Sequence, residues 1–497
     1  MAATLDTRTE QESGTTPDPR RWKALGVLAL IQFMLVLDVT VVNVALPHIQ
    51  HDLGFSRSGL AWVVNGYVLM AGGFLLLGGR MADILGRRRL FLVGVGLFAA
   101  ASATCGAAVV PGMLVASRFV QGLGEALAAP ASLGLIALLF PDPRERMKAL
   151  GMWGGVAGLG GTTGTVISGA LTGLASWRWI FFVNLPVALV ALVAVPRLVS
   201  ESRMVREHAR LRVQGVITGT AGLVLLVDGL LAAATDAWGS LQVLLPVVAG
   251  VALLVAMVVM EARSDAPLIP MRFFRNRTRV VTNVGTLFFA SAFFSYFFLL
   301  TLFEQQILGW SPLQGGLSYV PFGLSIGVGI GIGSGLMPRV GVKPLLTAGF
   351  VGCAIGLVMT SWLGVGSAYA TTVLPGMLVL GLASGVSFPA IGNAALHGVT
   401  GQDSSLASGV QTAMQQVGGA IGLSCLVTLA LRYAAGQVQD GVAPTVAATH
   451  GYALAFRIGA VLLVVGGVLV VSLLERVAAT PRMAGVEVET AEAVLAA

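Results

Sequence analysis

The chain has 497 residues, of which 56% are hydrophobic and only 11% are charged. Its mean hydropathy is +0.86, and a surface in contact with water needs far more charge than this, so a soluble globular protein is excluded. A helix crosses about 30 Å of hydrocarbon with about 20 apolar residues, and nearly the whole chain divides into such runs. A transmembrane β-barrel would show alternating strands of about 10 residues instead. The composition therefore predicts an all-α integral membrane protein.

Fourteen apolar runs predict fourteen transmembrane helices. In chain order they cover residues 22–46, 58–79, 89–110, 112–139, 149–173, 178–198, 213–234, 241–261, 280–303, 313–336, 343–364, 371–396, 405–432 and 453–474. An even number of spans puts both termini on the same side of the membrane. Basic residues cluster in every second connection, and such clusters face the cytoplasm. The sequence therefore predicts a multi-pass protein with both termini in the cytoplasm.

The net charge of +7 follows from this topology, so we expect no nucleic-acid partner. Arginine greatly outnumbers lysine, which occurs only at Lys23, Lys148 and Lys343. This bias is typical of a GC-rich bacterial genome and favours the plasma membrane of a bacterium as the location.

Two long charged connections, near residues 199–212 and 262–279, divide the spans into six, two and six. Two six-span halves are typical of secondary transporters built from repeats. We predict a first six-helix bundle over 22–200, two linker helices with flanking cytoplasmic segments over 201–279, and a second six-helix bundle over 280–475. The polar segments 1–21 and 476–497 are expected to be cytoplasmic tails, the first of them disordered.

The segment after the second span contains Gly79, Asp83, Gly86, Arg87 and Arg88. This spacing resembles the signature loop of the major facilitator superfamily, and a shorter echo of it, Gly335–Lys343, follows the second span of the other half. The first glycine lets two helices approach closely, and the acid can accept hydrogen bonds from an arginine of a neighbouring helix. The resemblance implies a conformational lock, which we call the lock segment.

Further stretches resemble the fourteen-span drug:proton antiporters of that superfamily, which are multidrug and antibiotic exporters. They are Leu37–Pro47 in span 1, Arg118–Ala126 in span 4, Trp177–Pro186 after span 5 and Leu406–Gly422 in span 13. Together with the span count, the resemblance extends from about residue 22 to 475. It implies the major facilitator fold, and it identifies the span 4 stretch as the family's proton-coupling motif.

A charge at the bilayer centre costs about 2.5–3.5 kcal/mol, so it requires a cavity or a partner. Asp38 in span 1 and Arg118 in span 4 are predicted at similar depth, which allows an attraction between them. Gln121 and Glu125 share a helical face with Arg118. Because burial favours the neutral form of a carboxylic acid, we predict proton coupling by Asp38, Arg118 and Glu125. The alternatives are a structural hydrogen bond for Asp38, contact of Arg118 with the outer interface, and a purely structural Glu125.

Polar and acidic residues within the spans are candidates for substrate binding. They are Asp38, Asn43, Gln121, Glu125, Asp228 and Glu304. Span 7 lies outside the two repeats, which favours a structural role for Asp228, and Glu304 is predicted near the outer mouth, where simple solvation would also explain it. An acid lining the cavity would favour cationic substrates.

Span 5 carries Gly160, Gly164 and Ser168 at four-residue spacing, which predicts close packing between helices. The segment occupies the place of the family's antiporter motif, but Thr165 stands where that motif has a proline. Strict antiport is therefore left open by the sequence.

No enzyme is indicated, because the chain has no Walker-type phosphate loop, and its five histidines and three cysteines show no metal-site or disulfide spacing. We expect no metal and no cofactor, with the proton gradient as the energy source.

The expected function is alternating-access, proton-coupled export of amphipathic drugs or antibiotics, cationic ones included, by a monomer in the lipid bilayer. The alternatives are a dedicated exporter of one self-made antibiotic or other metabolite, and a non-transporting membrane receptor.

Overall fold

A computed structural model describes residues 20–201, 213–264, 267, 269, 271–399 and 404–475. The two predicted tails lie almost entirely outside these residues, as does most of the connection at 199–212. Within the described part, the chain forms α-helices and no strand. The helices are α1 (Arg21–Leu53), α2 (Ala61–Leu85), α3 (Arg87–Gly106), α4 (Pro111–Leu139), α5 (Pro143–Leu174), α6 (Trp179–Phe182), α7 (Asn184–Leu198), α8 (Gln214–Ala232), α9 (Leu241–Ala262), α10 (Arg277–Leu302), α11 (Pro312–Ser318), α12 (Val320–Val340), α13 (Val342–Thr360), α14 (Leu374–Ala395), α15 (Ser404–Gln439) and α16 (Pro444–Leu473).

Thirteen helical segments of the described chain are long and apolar enough to cross a membrane. Four of them contain an irregular turn. The helices α6 and α7 form one segment, and α11 and α12 form another. Helix α10 continues into a π-helical segment at Phe303–Ile307, and a second π-helical segment at Tyr369–Val373 precedes α14. The remaining predicted span, 149–173, lies in α5, a helix of 32 residues that is rich in glycine and threonine. The predicted all-α integral membrane fold is confirmed.

The same helix pairs pack together in the two halves of the chain. In the first half α2 and α3 pack on α4, and α1 packs on α5; in the second half α12 and α13 pack on α14, and α10 packs on α15. Helix α8 packs on α2 and α15, and α9 packs on α8. The helix pairings of the first half therefore recur in the second half, and α8 and α9 pack on each other outside these pairings.

The connections α2–α3 and α12–α13 show this repeat in atomic detail. Each is a single glycine with positive φ, 109° at Gly86 and 83° at Gly341, a conformation that suits glycine because it has no Cβ. Two residues further on, Arg88 donates to the carbonyl of Val199 (3.0 Å), and Lys343 donates to the carbonyl of Leu474 (2.8 Å). Each acceptor is the C-cap residue, directly after the last helix of its half.

The predicted lock loop is therefore helical except at Gly86. The sequence predicts a loop at the lock segment, over Gly79–Leu90, but α2 continues to Leu85 and α3 begins at Arg87. We call the end of the bundle that carries these two connections the basic end, and the end where Gly54 joins α1 to α2 the opposite end.

The two halves touch at the opposite end. Gly169 of α5 lies against the backbone of Pro312, and Gly316 lies against the backbone of Thr165, so that α5 and α11 pack without intervening side chains. Gln305 donates to the carbonyl of Val44 at 2.7 Å. Here the first and second halves are in close contact.

Towards the basic end, α5 and α12 are open to their surroundings. At Gly151, Gly154 and Gly155 of α5, and at Gly331 and Gly335 of α12, an added Cβ would meet nothing within 4 Å. On another side of the molecule α2 and α15 remain packed, with Leu76 against Gly409. The halves are therefore in close contact at the opposite end, whereas these glycines of α5 and α12 towards the basic end are exposed.

This packing predicts that Gly316→Val weakens the contact between the halves at the opposite end, since the new side chain would overlap the backbone of Thr165. We expect a cysteine introduced at Gln306 to react faster with a maleimide in the Gly316→Val background. The matched control is Gly96→Val, a helical site with open space around it. Equal labelling in the two backgrounds would contradict the packing described here.

Candidate functional site

A buried ion pair joins α1 to α4. Nη1 of Arg118 lies 2.5 Å from Oδ2 of Asp38, and the two residues are 1% and 0% exposed. The guanidinium also donates to the carbonyl of Val63 (2.8 Å) and lies over the ring of Tyr67, 4.3 Å from its centroid. Helices α1, α2 and α4 thus converge on one guanidinium.

The second oxygen of Asp38 is held by two amides. Gln121 of α4 donates to it at 2.8 Å, and Asn184 at the start of α7 donates at 2.9 Å. Gln121 also donates to Ser102 of α3 and accepts from Arg118. Every polar contact of Asp38 is therefore with a donor, which is the pattern that an ionised carboxylate requires.

Sequence reasoning brought Asp38, Arg118 and Gln121 together but missed Asn184. The residue lies in the stretch Trp177–Pro186, which we used for the family resemblance without assigning a role to its amide. An asparagine in an apolar run requires a hydrogen-bond partner when it is buried. That requirement was the signal available in the sequence.

If Asp38 lost its charge, Arg118 would lose its counter-charge but not all of its hydrogen-bond acceptors. If Asp38 took up a proton, Arg118 would keep the carbonyl of Val63 and the amide oxygen of Gln121 as acceptors. Removing one partner of a buried pair is costly when the other charge stays uncompensated. Alternative acceptors lower that cost, so the network is suited to switching between a paired and an unpaired state.

Glu125 lies on the face of α4 that carries Arg118 and Gln121. It is seven residues further along the helix than Arg118, about 10 Å nearer the basic end. The residue is partly exposed, while its Oε2 atom is buried without a hydrogen-bond partner in the described part of the chain. Asp38, Arg118 and Tyr67 are its electrostatic neighbours. Glu125 is thus the acid of this cluster with access to the surroundings.

The remaining substrate-binding candidates are dispersed. Asn43 is partly buried on α1, and Asp228 is exposed on the surface of α8, apart from the cluster. Glu304, which we expected near a solvated outer mouth, is instead completely buried in the second half, because Ser318 and the aromatic residues around it exclude solvent. The structure brings neither Asp228 nor Glu304 to the Asp38 cluster.

The lock segment holds helices of the first half to one another at the basic end. Asp83 accepts from Arg87 at 2.8 and 3.0 Å, and Arg87 also donates to the carbonyl of Gly134 in α4 (3.1 Å). The carboxylate of Glu201 accepts from the backbone N–H groups of Arg88 and Arg89, both at 3.1 Å, and so caps α3. Sequence analysis missed this cap.

The small residues of α5 pack on the Asp38 segment of α1. A Cβ at Gly160 would lie 3.2 Å from the carbonyl of Phe33, and one at Gly164 would overlap Thr40. Ser168 donates a short hydrogen bond to the carbonyl of Val41. The predicted ladder therefore fixes the helix that carries the buried carboxylate. Among the residues described, no group of His, Cys, Asp and Glu is placed to hold a metal ion.

The buried pair predicts a large loss of stability on truncation. Asp38→Ala leaves Arg118 buried without its counter-charge, which costs roughly 3–5 kcal/mol. The matched control is Asp52→Ala on the same helix: Asp52 pairs with Arg178, but the two side chains are 49% and 30% exposed, so the cost is about 0–1 kcal/mol. Thermal unfolding of the purified variants measures the difference, and equal shifts would contradict the assigned geometry.

Solved structures share this architecture. A crystal structure of a POT family transporter in complex with a thioalcohol-conjugated peptide matches with a TM-score of 0.66 at 15% identity, over 89% of this chain and 95% of that one. A bacterial homologue of the human lysosomal transporter Spinster, in an inward-facing and occupied conformation, matches with a TM-score of 0.62 at 15% identity, over 92% and 97%. At these identities the likeness establishes the fold.

Sequence relatives are closer. The puromycin resistance protein pur8 of Streptomyces alboniger is 39% identical, with 90% of each chain covered. The lincomycin resistance protein of Streptomyces lincolnensis is 38% identical over 82% of this chain and 84% of that protein, and the multidrug resistance protein Stp of Mycobacterium tuberculosis is 31% identical over 79% and 73%. The family model of the Major Facilitator Superfamily matches residues 28–423. The chain is therefore a member of the major facilitator superfamily, a multi-pass membrane transporter whose relatives include proteins named for resistance to antibiotics and to multiple drugs.

Proposed function

We propose that this transporter exports antibiotics or other amphipathic drugs in exchange for protons, by alternating access between its two halves. The observation that carries the proposal is the buried ion pair of Asp38 and Arg118. Arg118 also donates to the carbonyl of Val63 and to the amide oxygen of Gln121. A protein that only bound a signal or held a scaffold would gain nothing from the cost of two embedded charges.

The uneven contact between the halves supports alternating access. The halves touch through Gln305 and Val44 at the opposite end, while glycines of α5 and α12 are exposed towards the basic end. Basic connections face the cytoplasm, so a cavity between the halves would open towards the cytoplasm in this conformation. The drug would enter this cavity from the cytoplasm. Glu125 is the acid of the Asp38 cluster nearest the basic end, and its negative charge would attract cationic drugs.

Protonation of Asp38 would drive the change of conformation. A proton that enters from outside neutralises the carboxylate and leaves Arg118 with only Val63 and Gln121 as acceptors, which loosens the junction of α1 with α4. One charge moved through 100 mV supplies about 2.3 kcal/mol, enough for a drug gradient of roughly fiftyfold. Glu125 would then accept the proton from the Asp38 cluster and release it at the basic end.

Purified protein in liposomes with an imposed pH gradient tests this coupling. Asp38→Asn keeps the shape of the side chain and one acceptor oxygen but cannot take up a proton, so we expect drug flux that no longer responds to the gradient. Asp440→Asn, at an exposed turn between α15 and α16, is the control and should retain full coupling. Drug flux that ignores the gradient in the unaltered protein, or survives Asp38→Asn unchanged, would refute proton coupling.

A dedicated exporter of one antibiotic is the second candidate, and the names of the relatives favour it. The puromycin and lincomycin resistance proteins, at 39% and 38% identity, are named for single compounds, whereas the multidrug protein Stp is 31% identical.

A resistance panel in an efflux-deficient host separates the two candidates. Expression of a dedicated exporter should raise tolerance to one chemical class only, and a multidrug exporter should raise tolerance to several unrelated amphipathic compounds. Cells that express Asp38→Asn at equal level are the control, and they should resemble cells without the protein. Tolerance that persists in that variant would contradict a role for the carboxylate.

A further inference from the structure

The second half of the protein contains a buried acid without a counter-charge. Glu304 lies in the π-helical segment that continues α10, and its exposed fraction is 0%. Among the described residues it forms no ion pair, and its Oε1 atom has no hydrogen-bond partner. An isolated carboxylate in such surroundings is strongly disfavoured, so a buried acid of this kind is retained in its neutral form.

The hydrogen bonds of Ser318 agree with a neutral acid. Its hydroxyl oxygen lies 2.7 Å from the carbonyl oxygen of Gly315 and 3.0 Å from Oε2 of Glu304. A hydroxyl carries one hydrogen, and a carbonyl can only accept. When Ser318 donates to Gly315, the contact with Glu304 is a hydrogen bond only if the carboxyl donates. The geometry therefore accommodates a protonated Glu304 that donates to Ser318.

Tyrosines make up the polar surroundings of this carboxyl. Tyr296 of α10, Tyr319 after α11 and Tyr369 of the second π-helical segment are its electrostatic neighbours. Tyr369 donates to the carbonyl of Ser318 at 2.7 Å and so holds the residue that contacts Glu304. None of these groups supplies a positive charge.

Basic groups on the adjoining helices are engaged elsewhere. On α16, His450 is hydrogen-bonded to Gln437, and Arg457 donates to Ser361. On α1, His48 interacts with Gln305 and not with the acid itself. Within the described chain, the pocket is thus built without a cation for an ionised Glu304.

The residues that follow Glu304 hold the two halves together. Gln305 donates to the carbonyl of Val44, and Gln306 donates to Gln50 at 2.8 Å. Loss of the proton would require water or a new donor at Oε1, and this requires movement of the π-helical segment that bears both glutamines. π-Helical turns occur frequently at functional sites, where they allow such rearrangement.

We propose that Glu304 is a second proton-binding site, in the second half, and that release of its proton loosens the contact of Gln305 and Gln306 with α1. The role in transport rests on the proposed proton-coupled export, whereas proton binding itself does not. The site differs from the Asp38 cluster because Asp38 is paired with Arg118 and Glu304 has no cation.

Infrared titration of the purified full-length protein tests proton binding. We expect a carbonyl absorption of a protonated carboxylic acid at neutral pH that disappears in Glu304→Gln and persists in Glu125→Gln. Glu304→Asp should keep a shifted band, which covers the case that Glu304→Gln folds poorly. Identical spectra for the unaltered protein and a folded Glu304→Gln would overturn the assignment. A Glu304 band together with drug flux that ignores the gradient would instead refute the proposed function alone.

Cross-linking tests the coupling to the contact between the halves. In a variant lacking the three native cysteines, the pair Gln50→Cys and Gln306→Cys reports the contact. The pair Asp52→Cys and Arg178→Cys lies within the first half. Its cross-linking rate therefore measures the effect of pH on the thiols alone, and we divide by it. We expect the corrected cross-linking rate to fall severalfold as the pH rises, and to stay constant after Glu304→Gln. A fall of equal size in the Glu304→Gln background would overturn the coupling.

Discussion

The pairing of a carboxylate with a guanidinium, away from water, is the constraint on which the first half depends. Asp38 and Arg118 are both buried, and an unpaired charge there would cost several kcal/mol. Five helices contribute to meeting this constraint: α1 and α4 carry the charges, α2 provides a carbonyl and an aromatic ring, and α3 and α7 provide Ser102 and Asn184. The packing of the bundle follows from the geometry of this network.

Helix α1 connects that network to the boundary between the halves. Asp38 and Val44 are six residues apart, about 9 Å along the helix, and Val44 accepts the hydrogen bond of Gln305 from the second half. Pro47 lies inside the same helix and has no N–H, which leaves the carbonyl of Asn43 without its usual helical donor. A charge change at Asp38 therefore acts on a helix whose far end already lacks one internal hydrogen bond and contacts the other half.

Much of the fold could be predicted because hydrocarbon imposes a simple rule on the sequence. Runs of about 20 apolar residues located the spans, and the cost of embedded charge singled out Asp38 and Arg118. The exposure of α5 towards the basic end could not be predicted, because glycines that pack and glycines that face open space look alike in a sequence. A Cβ added at Gly169 would overlap the backbone of Pro312, whereas one added at Gly155 would meet nothing within 4 Å.

The lock segment and Glu304 show the same limit. The sequence gives the residues of Gly79–Leu90 but not that a single glycine, Gly86, makes the turn. It places Glu304 at the end of a span, where a solvated acid and a buried one are equally compatible with the pattern. The position of Glu304 along its helix can be counted from the sequence. Its burial by Ser318 and Tyr319 cannot, because only the fold brings these residues next to it.

The two halves repeat one another in helix packing and differ in charge. Arg88 with Val199 and Lys343 with Leu474 occupy equivalent positions at the basic end, so the repeat is preserved where it serves assembly. In the interior, the first half encloses a carboxylate with its guanidinium, and the second half encloses a carboxyl surrounded by hydroxyls. The first arrangement favours the ion and the second favours the neutral acid. In the mechanism that we propose, two carboxyls that start in opposite charge states would provide two distinct points at which a proton can weaken or strengthen the same contact between the halves.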